Sequence, residues 1–157
     1  MYREKNNTVL KKFKHSPFYE KPLHILSYDF GEFYLYENYI VGEIKEGVLF
    51  SWKEQGEFLA FEFKSIYHEK FNDLKYISNR ICKYSVIPSD WIKFARCNYN
   101  FSGYGIVNYT KTGYFNALLE KVFVPKLKTF SSLQKAIEWA KTPEKKRLEE
   151  SLFSKAS

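Results

Sequence analysis

Strand-forming runs alternate with helical stripes along most of this chain, and that alternation leaves few folds open to it. Leu23-His24-Ile25-Leu26-Ser27-Tyr28-Asp29-Phe30 reads as a first strand, punctuated by Gly31. Phe33–Ile44, rich in Tyr, Val and Ile, reads as a second strand with a turn or bulge at Glu37-Asn38. These two lie close enough in sequence to pair antiparallel. From Gly47 to Tyr67, the residues Leu49, Trp52, Gly56, Leu59, Phe63 and Ile66 recur at spacings of three and four, which is a helical stripe. A hairpin about Glu54-Gln55-Gly56 competes, because Leu59, Phe61 and Phe63 also alternate with Ala60, Glu62 and Lys64. The stripe spans more residues, so a helix is expected.

The second half repeats the pattern. Lys75–Ser78 is a strand, and Pro88-Ser89-Asp90 opens a short helix through Arg96, with Ser89 or Asp90 as its cap. Tyr104–Tyr109 is the next strand. Thr110 or Thr112 caps a helix from Tyr114 to Phe123, with Phe115, Leu118, Leu119 and Val122 on one face and Pro125 as its stop. Lys126–Phe130 reads as an edge strand. Ser131, three residues before Gln134, fits a capping box for a closing helix with Leu133, Ala136, Ile137 and Ala140 inward and Pro143 at its end. The order β-β-α-β-α-β-α-β-α predicts an α/β fold with a mixed, mostly parallel sheet.

Composition narrows the function classes. The chain has 157 residues, long enough for one domain with a core, and 45% of them are hydrophobic. The 15 Phe and 13 Tyr predict a ring-rich core, and the surplus also suits an apolar-ligand groove. Residues 1–21 carry six basic and two acidic side chains, and 135–157 six and four, which leaves only +1 of the net +7 for the middle. A central nucleic-acid groove is therefore not expected. The reading is a basic flexible arm over 1–21, a domain over 22–142 and a charged extension over 143–157. Cys82 and Cys97 form no metal-binding or disulfide pattern, and the longest apolar run, Phe58–Phe61, is far too short to span a membrane. A soluble cytoplasmic protein without a transmembrane segment is expected.

Four pieces of sequence carry a family likeness: Val41-Gly42-Glu43-Ile44-Lys45-Glu46-Gly47; Tyr76-Ile77-Ser78-Asn79-Arg80 with Tyr84-Ser85-Val86 and Pro88; Gly103-Tyr104-Gly105-Ile106-Val107; and Phe130-Ser131-Ser132-Leu133 with Ala136-Ile137-Glu138-Trp139. Together with the element order, over roughly residues 23–141, they resemble the bacterial SpoIIAA-like branch of the STAS superfamily. The resemblance implies a sheet of four or five strands with helices mainly on one side, and action by binding proteins or apolar ligands rather than by catalysis. Classical STAS regulators are phosphorylated on a Ser at a helix start, for which Ser78 and Ser85 are the nearest candidates. Ser78 departs from that pattern, being followed by Asn79-Arg80 and not by a small Ser-Gly segment.

Ser78, Asn79 and Arg80 place a hydroxyl, an amide and a forked cation at a strand end beside a helix start, where ligands of α/β sheets bind. Arg80 could clamp a carboxylate or phosphate there. The structural alternative is that Arg80 pairs internally and Asn79 fixes a turn. Tyr84 and Ser85 in the following loop are binding candidates of the same kind. His15, His24 and His68 share no metal-like spacing, Gly103 and Gly105 lack a dinucleotide fingerprint, and no nucleophile–base pair is recognisable, so no metal, cofactor or enzymatic activity is expected. The aromatic stripe Trp52, Phe58, Phe61, Phe63 and Tyr67 is too wide for one buried helix face. Part of it must be exposed or cover something, which favours a homodimer or a lipid-like ligand, the protein partner being unidentified.

Overall fold

The computed structural model describes residues 2–3, 9–87, 89–90, 92–93, 101–124, 126–143 and 152–154. Its strands are β1 (Tyr2–Arg3), β2 (Val9–Leu10), β3 (His24–Tyr28), β4 (Gly31–Leu35), β5 (Tyr39–Ile44), β6 (Leu49–Phe50), β7 (Lys75–Arg80), β8 (Ser85–Val86), β9 (Gly103–Asn108) and β10 (Leu127–Phe130). Its helices are α1 (Glu57–Tyr67), α2 (Lys111–Phe123) and α3 (Leu133–Lys141). Six strands form the main sheet in the order β10-β9-β7-β5-β4-β3. The β3-β4-β5 side is antiparallel and the β5-β7-β9-β10 side parallel. The α/β class and mixed sheet agree with the sequence. The sheet has six strands and not four or five, because the bend at Glu37-Asn38 splits Phe33–Ile44 into a hairpin closed by the Tyr36 N–H to Tyr39 carbonyl bond of 2.9 Å.

Strand periodicity sorts the core onto the two sides of this sheet. One face presents Phe33, Leu35, Ile40 and Tyr76 to Leu59, Phe63 and Tyr67 of α1, and Ile106 to Ala117 of α2. The other presents Tyr34, Val41, Ile77 and Val107 to Leu133, Ala136, Ile137 and Ala140 of α3. The inward residues expected for the closing helix are thus the buried ones. Helices cover both faces and are not confined to one side. The domain also begins before residue 22: Phe13 is fully buried on the α3 face among Tyr19, Tyr34 and Tyr36, so the second half of the expected arm is tied to the sheet.

Local chemistry sets the helix ends. Thr110 Oγ1 accepts the Gly113 N–H at 3.0 Å, and α2 starts at Lys111, three residues earlier than expected. Ser132, not Ser131, caps α3, accepting from Lys135 N at 3.2 Å; the capping spacing was displaced by one residue. Lys75 is almost fully buried, and its ammonium bonds the Trp139 and Thr142 carbonyls, satisfying groups that the end of α3 leaves open. The helix expected over Pro88–Arg96 falls largely outside the described residues, as do the side chains of Phe115, Leu118, Leu119 and Val122. Of the expected extension over 143–157, only Pro143 and residues 152–154 are described.

Gly103 and Gly105 lie within β9 and have a packing role. A Cβ on Gly103 would stand 2.7 Å from the Trp139 ring, and one on Gly105 would stand 2.8 Å from it and 3.1 Å from Phe130. The two glycines let the indole lie flat on the sheet. Gly105→Val is expected to destabilise the fold by about 1–3 kcal/mol through overpacking. Urea unfolding measures this, and an unchanged midpoint would show that Trp139 moves aside freely.

Candidate functional site

Between Gly47 and Tyr67 the chain forms neither one long helix nor a hairpin. Short β6 comes first and pairs parallel with β8, then Trp52–Gly56 makes one wide π-type turn, and α1 follows. The turn is held by reciprocal bonds. Ser51 Oγ accepts from Glu54 N at 3.1 Å, and Gln55 Oε1 accepts from Ser51 N at 2.8 Å. Gly56 leaves room for the Trp52 ring, whose Cε3 would stand 2.7 Å from a Cβ there. The aromatic stripe is accordingly divided. Phe63 and Tyr67 enter the core, Trp52 turns towards a cavity, and Phe58 and Phe61 stay exposed.

That cavity, about 90 Å³ and partly open to solvent, lies on the α1 face near the carboxyl ends of β5 and β7. Ile44 and Tyr76 of the sheet, Leu59, Ala60 and Phe63 of α1, Phe50 and Val86 of the β6–β8 pair, Phe101 and Tyr104 make it almost wholly apolar. Tyr76 and Tyr104 stack at 5.2 Å, and Phe101 leans on Tyr76 at 5.2 Å. Burial raises the hydroxyls of both tyrosines well above the ordinary tyrosine range, so both remain neutral. Asp90 closes one side, accepting from Trp52 N at 2.7 Å and pairing with Lys93 at 3.2 Å.

One wall is polar. Ser78 and Arg80 reach it because β7 extends two residues beyond the expected end at Ser78. Arg80 Nη1 and Nη2 donate to Glu120 Oε1 and Oε2 of α2 at 2.6 and 2.7 Å, a buried bidentate pair. Its Nε donates to Ser78 Oγ at 3.3 Å, and its guanidinium lies 5.4 Å from the Tyr84 ring centre. Burial by itself would lower the Arg80 pKa; Tyr84, Glu120 and Tyr104 reverse this and hold it above its ordinary value. Ser78 Oγ and Tyr84 Oη are 3.1 Å apart.

The five residues singled out in the sequence do not all converge. Ser78, Arg80 and Tyr84 meet at the cavity. Asn79 points to the opposite face, as adjacent residues of a strand must. There its Nδ2 donates to Glu43 Oε2 at 2.6 Å and its Oδ1 accepts from Tyr109 at 2.7 Å. Asn79 therefore belongs to a buried network and not to a turn. Ser85 is exposed on β8, whereas Ser78 is buried with its hydroxyl engaged, so of the two phosphorylation candidates only Ser85 stands open to an enzyme.

Sequence reading missed Glu43 and Glu120. Glu43 could have been suspected, since it interrupts the apolar run Tyr39–Ile44 and a carboxylate in such a strand needs a partner. Its Oε2 also accepts from Phe13 N at 3.0 Å, while its Oε1 has no partner among the described residues. Burial pushes this carboxyl up to about 7, against the lowering effect of the Phe13 and Asn79 bonds. Among the described residues, no group of three His, Cys, Asp or Glu could hold a metal ion, and no helix is long and apolar enough to cross a membrane. Compared with known proteins, the chain matches no family model, no curated protein and no solved structure significantly.

Proposed function

We propose that this chain is a binding domain whose working site is the aromatic cavity on the α1 face, taking a small apolar ligand in the manner expected of a carrier or sensor. The observation that carries this reading is a ring-lined space of about 90 Å³ with one polar wall on the α1 face. Binding sites of small molecules are mostly apolar with a few placed polar groups. An apolar cavity of about 150 Å³ stays dry and accepts benzene. The present space is of that order, so it suits a single ring or a short chain, and a long acyl tail would have to extend into solvent. The reading keeps the non-catalytic, ligand-binding role implied by the STAS resemblance and places the ligand beside Ser78, Arg80 and Tyr84.

Methyl-labelled protein titrated with ethylbenzene tests the reading. Methyl resonances of Ile44, Leu59, Ala60 and Val86 are expected to move in a saturable manner, while those of Ala136 and Ile137 on the opposite face stay in place. No movement up to the solubility limit of the probe would overturn the proposal.

A further inference from the structure

The main sheet ends on β3, which pairs with β4 on one side and, among the described residues, with no strand on the other. The open side of an edge strand is a row of N–H and C=O groups that a further strand can complete, and edges are commonly guarded by Lys, by Pro or by short length. The opposite edge follows that rule, since β10 has four residues and exposed Lys128 is one of them. β3 does not. Its five residues, His24-Ile25-Leu26-Ser27-Tyr28, include no Lys, Arg, Asp, Glu or Pro. Leu23 N–H donates to the Leu35 carbonyl at 2.8 Å, which keeps the residue before the strand docked on β4 as well.

This edge is apolar on both sides of the sheet. Leu26 and Tyr28 turn to the α1 face, so Ile25 and Ser27 turn to the other. Ile25 is 50% exposed and Leu23 65%. On the α1 face, Phe58 packs edge-on against Tyr28 with ring centres 5.2 Å apart, and Phe61 follows on the same helix; both stay exposed. An unpaired strand with exposed hydrophobic side chains above and below it marks an interaction surface.

We propose that a second copy of this chain covers it, through antiparallel β3–β3 pairing about a two-fold axis at Ile25 that joins the two six-stranded sheets into one. Charge complementarity selects this occupant. In that register Ile25 faces its own copy, Leu23 faces Ser27, and Lys21 of each copy falls opposite Asp29 of the other. Lys21 and Asp29 are exposed, and neither has an ion-pair partner among the described residues. They stand about 25 Å apart along one extended segment, too far to pair within it. Moving the axis to Leu26 would set Asp29 against Leu23 and lose both ion pairs. Because the contact uses the same edge of both copies, the assembly closes at the dimer.

Sedimentation equilibrium of the full chain tests the proposal. A dimer is expected with a Kd of about 10–100 μM, in keeping with a small interface, and no larger species. Ile25→Lys gives β3 the guard that β10 has, and it should weaken the dimer by about tenfold or more while the urea midpoint stays near that of the parent. Lys21→Glu and Asp29→Lys should each weaken it by about three- to tenfold, since each sets two like-charged contacts in the dimer. The two reversals together should restore the parent affinity. A chain that stays monomeric at about 500 μM, or a dimer indifferent to Ile25→Lys, would overturn the proposal. A double reversal that dimerises no better than the single ones would overturn the axis at Ile25.

Discussion

Glu120→Ala is expected to destabilise the protein by about 3–5 kcal/mol, the usual cost of leaving one member of a buried ion pair uncompensated. The geometry predicts the upper part of that range. Arg80 and Glu120 are joined by two parallel bonds of 2.6 and 2.7 Å, and their side chains retain only 11% and 9% of their exposure. Removing the carboxylate leaves a largely buried guanidinium without its counter-charge, next to stacked Tyr76 and Tyr104. A domain of ordinary stability has only about 5–15 kcal/mol in total, so the variant should unfold at much lower urea. The double replacement Arg80→Met with Glu120→Leu should recover most of the loss, because neither charge then remains to be solvated. Denaturation of Arg80→Met, Glu120→Leu, the double variant and the parent gives the coupling energy. Independent, additive losses would mean that the pair is solvated in solution.

The second large effect is a pH dependence centred on Glu43. Its carboxyl is raised from 4.5 to about 7 by burial. Between those values the native state holds a proton that the unfolded chain has released. Stability therefore falls as pH rises through this window and levels off above it. The raised pKa corresponds to about 3 kcal/mol lost between pH 4.5 and 8. Glu43→Gln retains an oxygen for Phe13 N and Asn79 Nδ2 and cannot ionise. It should match the parent near pH 4.5 and exceed it by up to about 3 kcal/mol at pH 8. Urea titrations of both proteins across this range, taken as a difference, cancel the other titrating groups. Parallel curves would show that Glu43 is hydrated or paired when ionised. The bond from Phe13 N also implies that ionisation is felt where the chain before β3 meets the sheet.

Much of the scaffold was legible because it is local. Caps, turns and the period of apolar residues act over a few positions, so the strands at Lys75, Tyr104 and Lys126 and the inward face of α3 could be read directly. Local rules also produced the errors. A stripe at spacings of three and four concealed the short strand at Leu49–Phe50, because two residues paired with Ser85–Val86 leave no periodic trace. The Ser78-Asn79-Arg80 triplet looked like one site because its members are adjacent, yet a strand that continues to Arg80 sends Asn79 to the far face.

By itself, then, the sequence determined the class of the fold, the mixed sheet, the position of most strands and an aromatic stripe from Trp52 to Tyr67 too wide for one buried helix face. The tertiary structure alone decided what the polar groups do. Arg80 meets Glu120 across 40 positions, Asn79 meets Glu43 across 36, and Phe13 reaches Glu43 across 30. Such pairings depend on how a helix is rotated over a sheet and on which strand lies beside which. Those are set by packing the whole core at once, and no short window of sequence contains them.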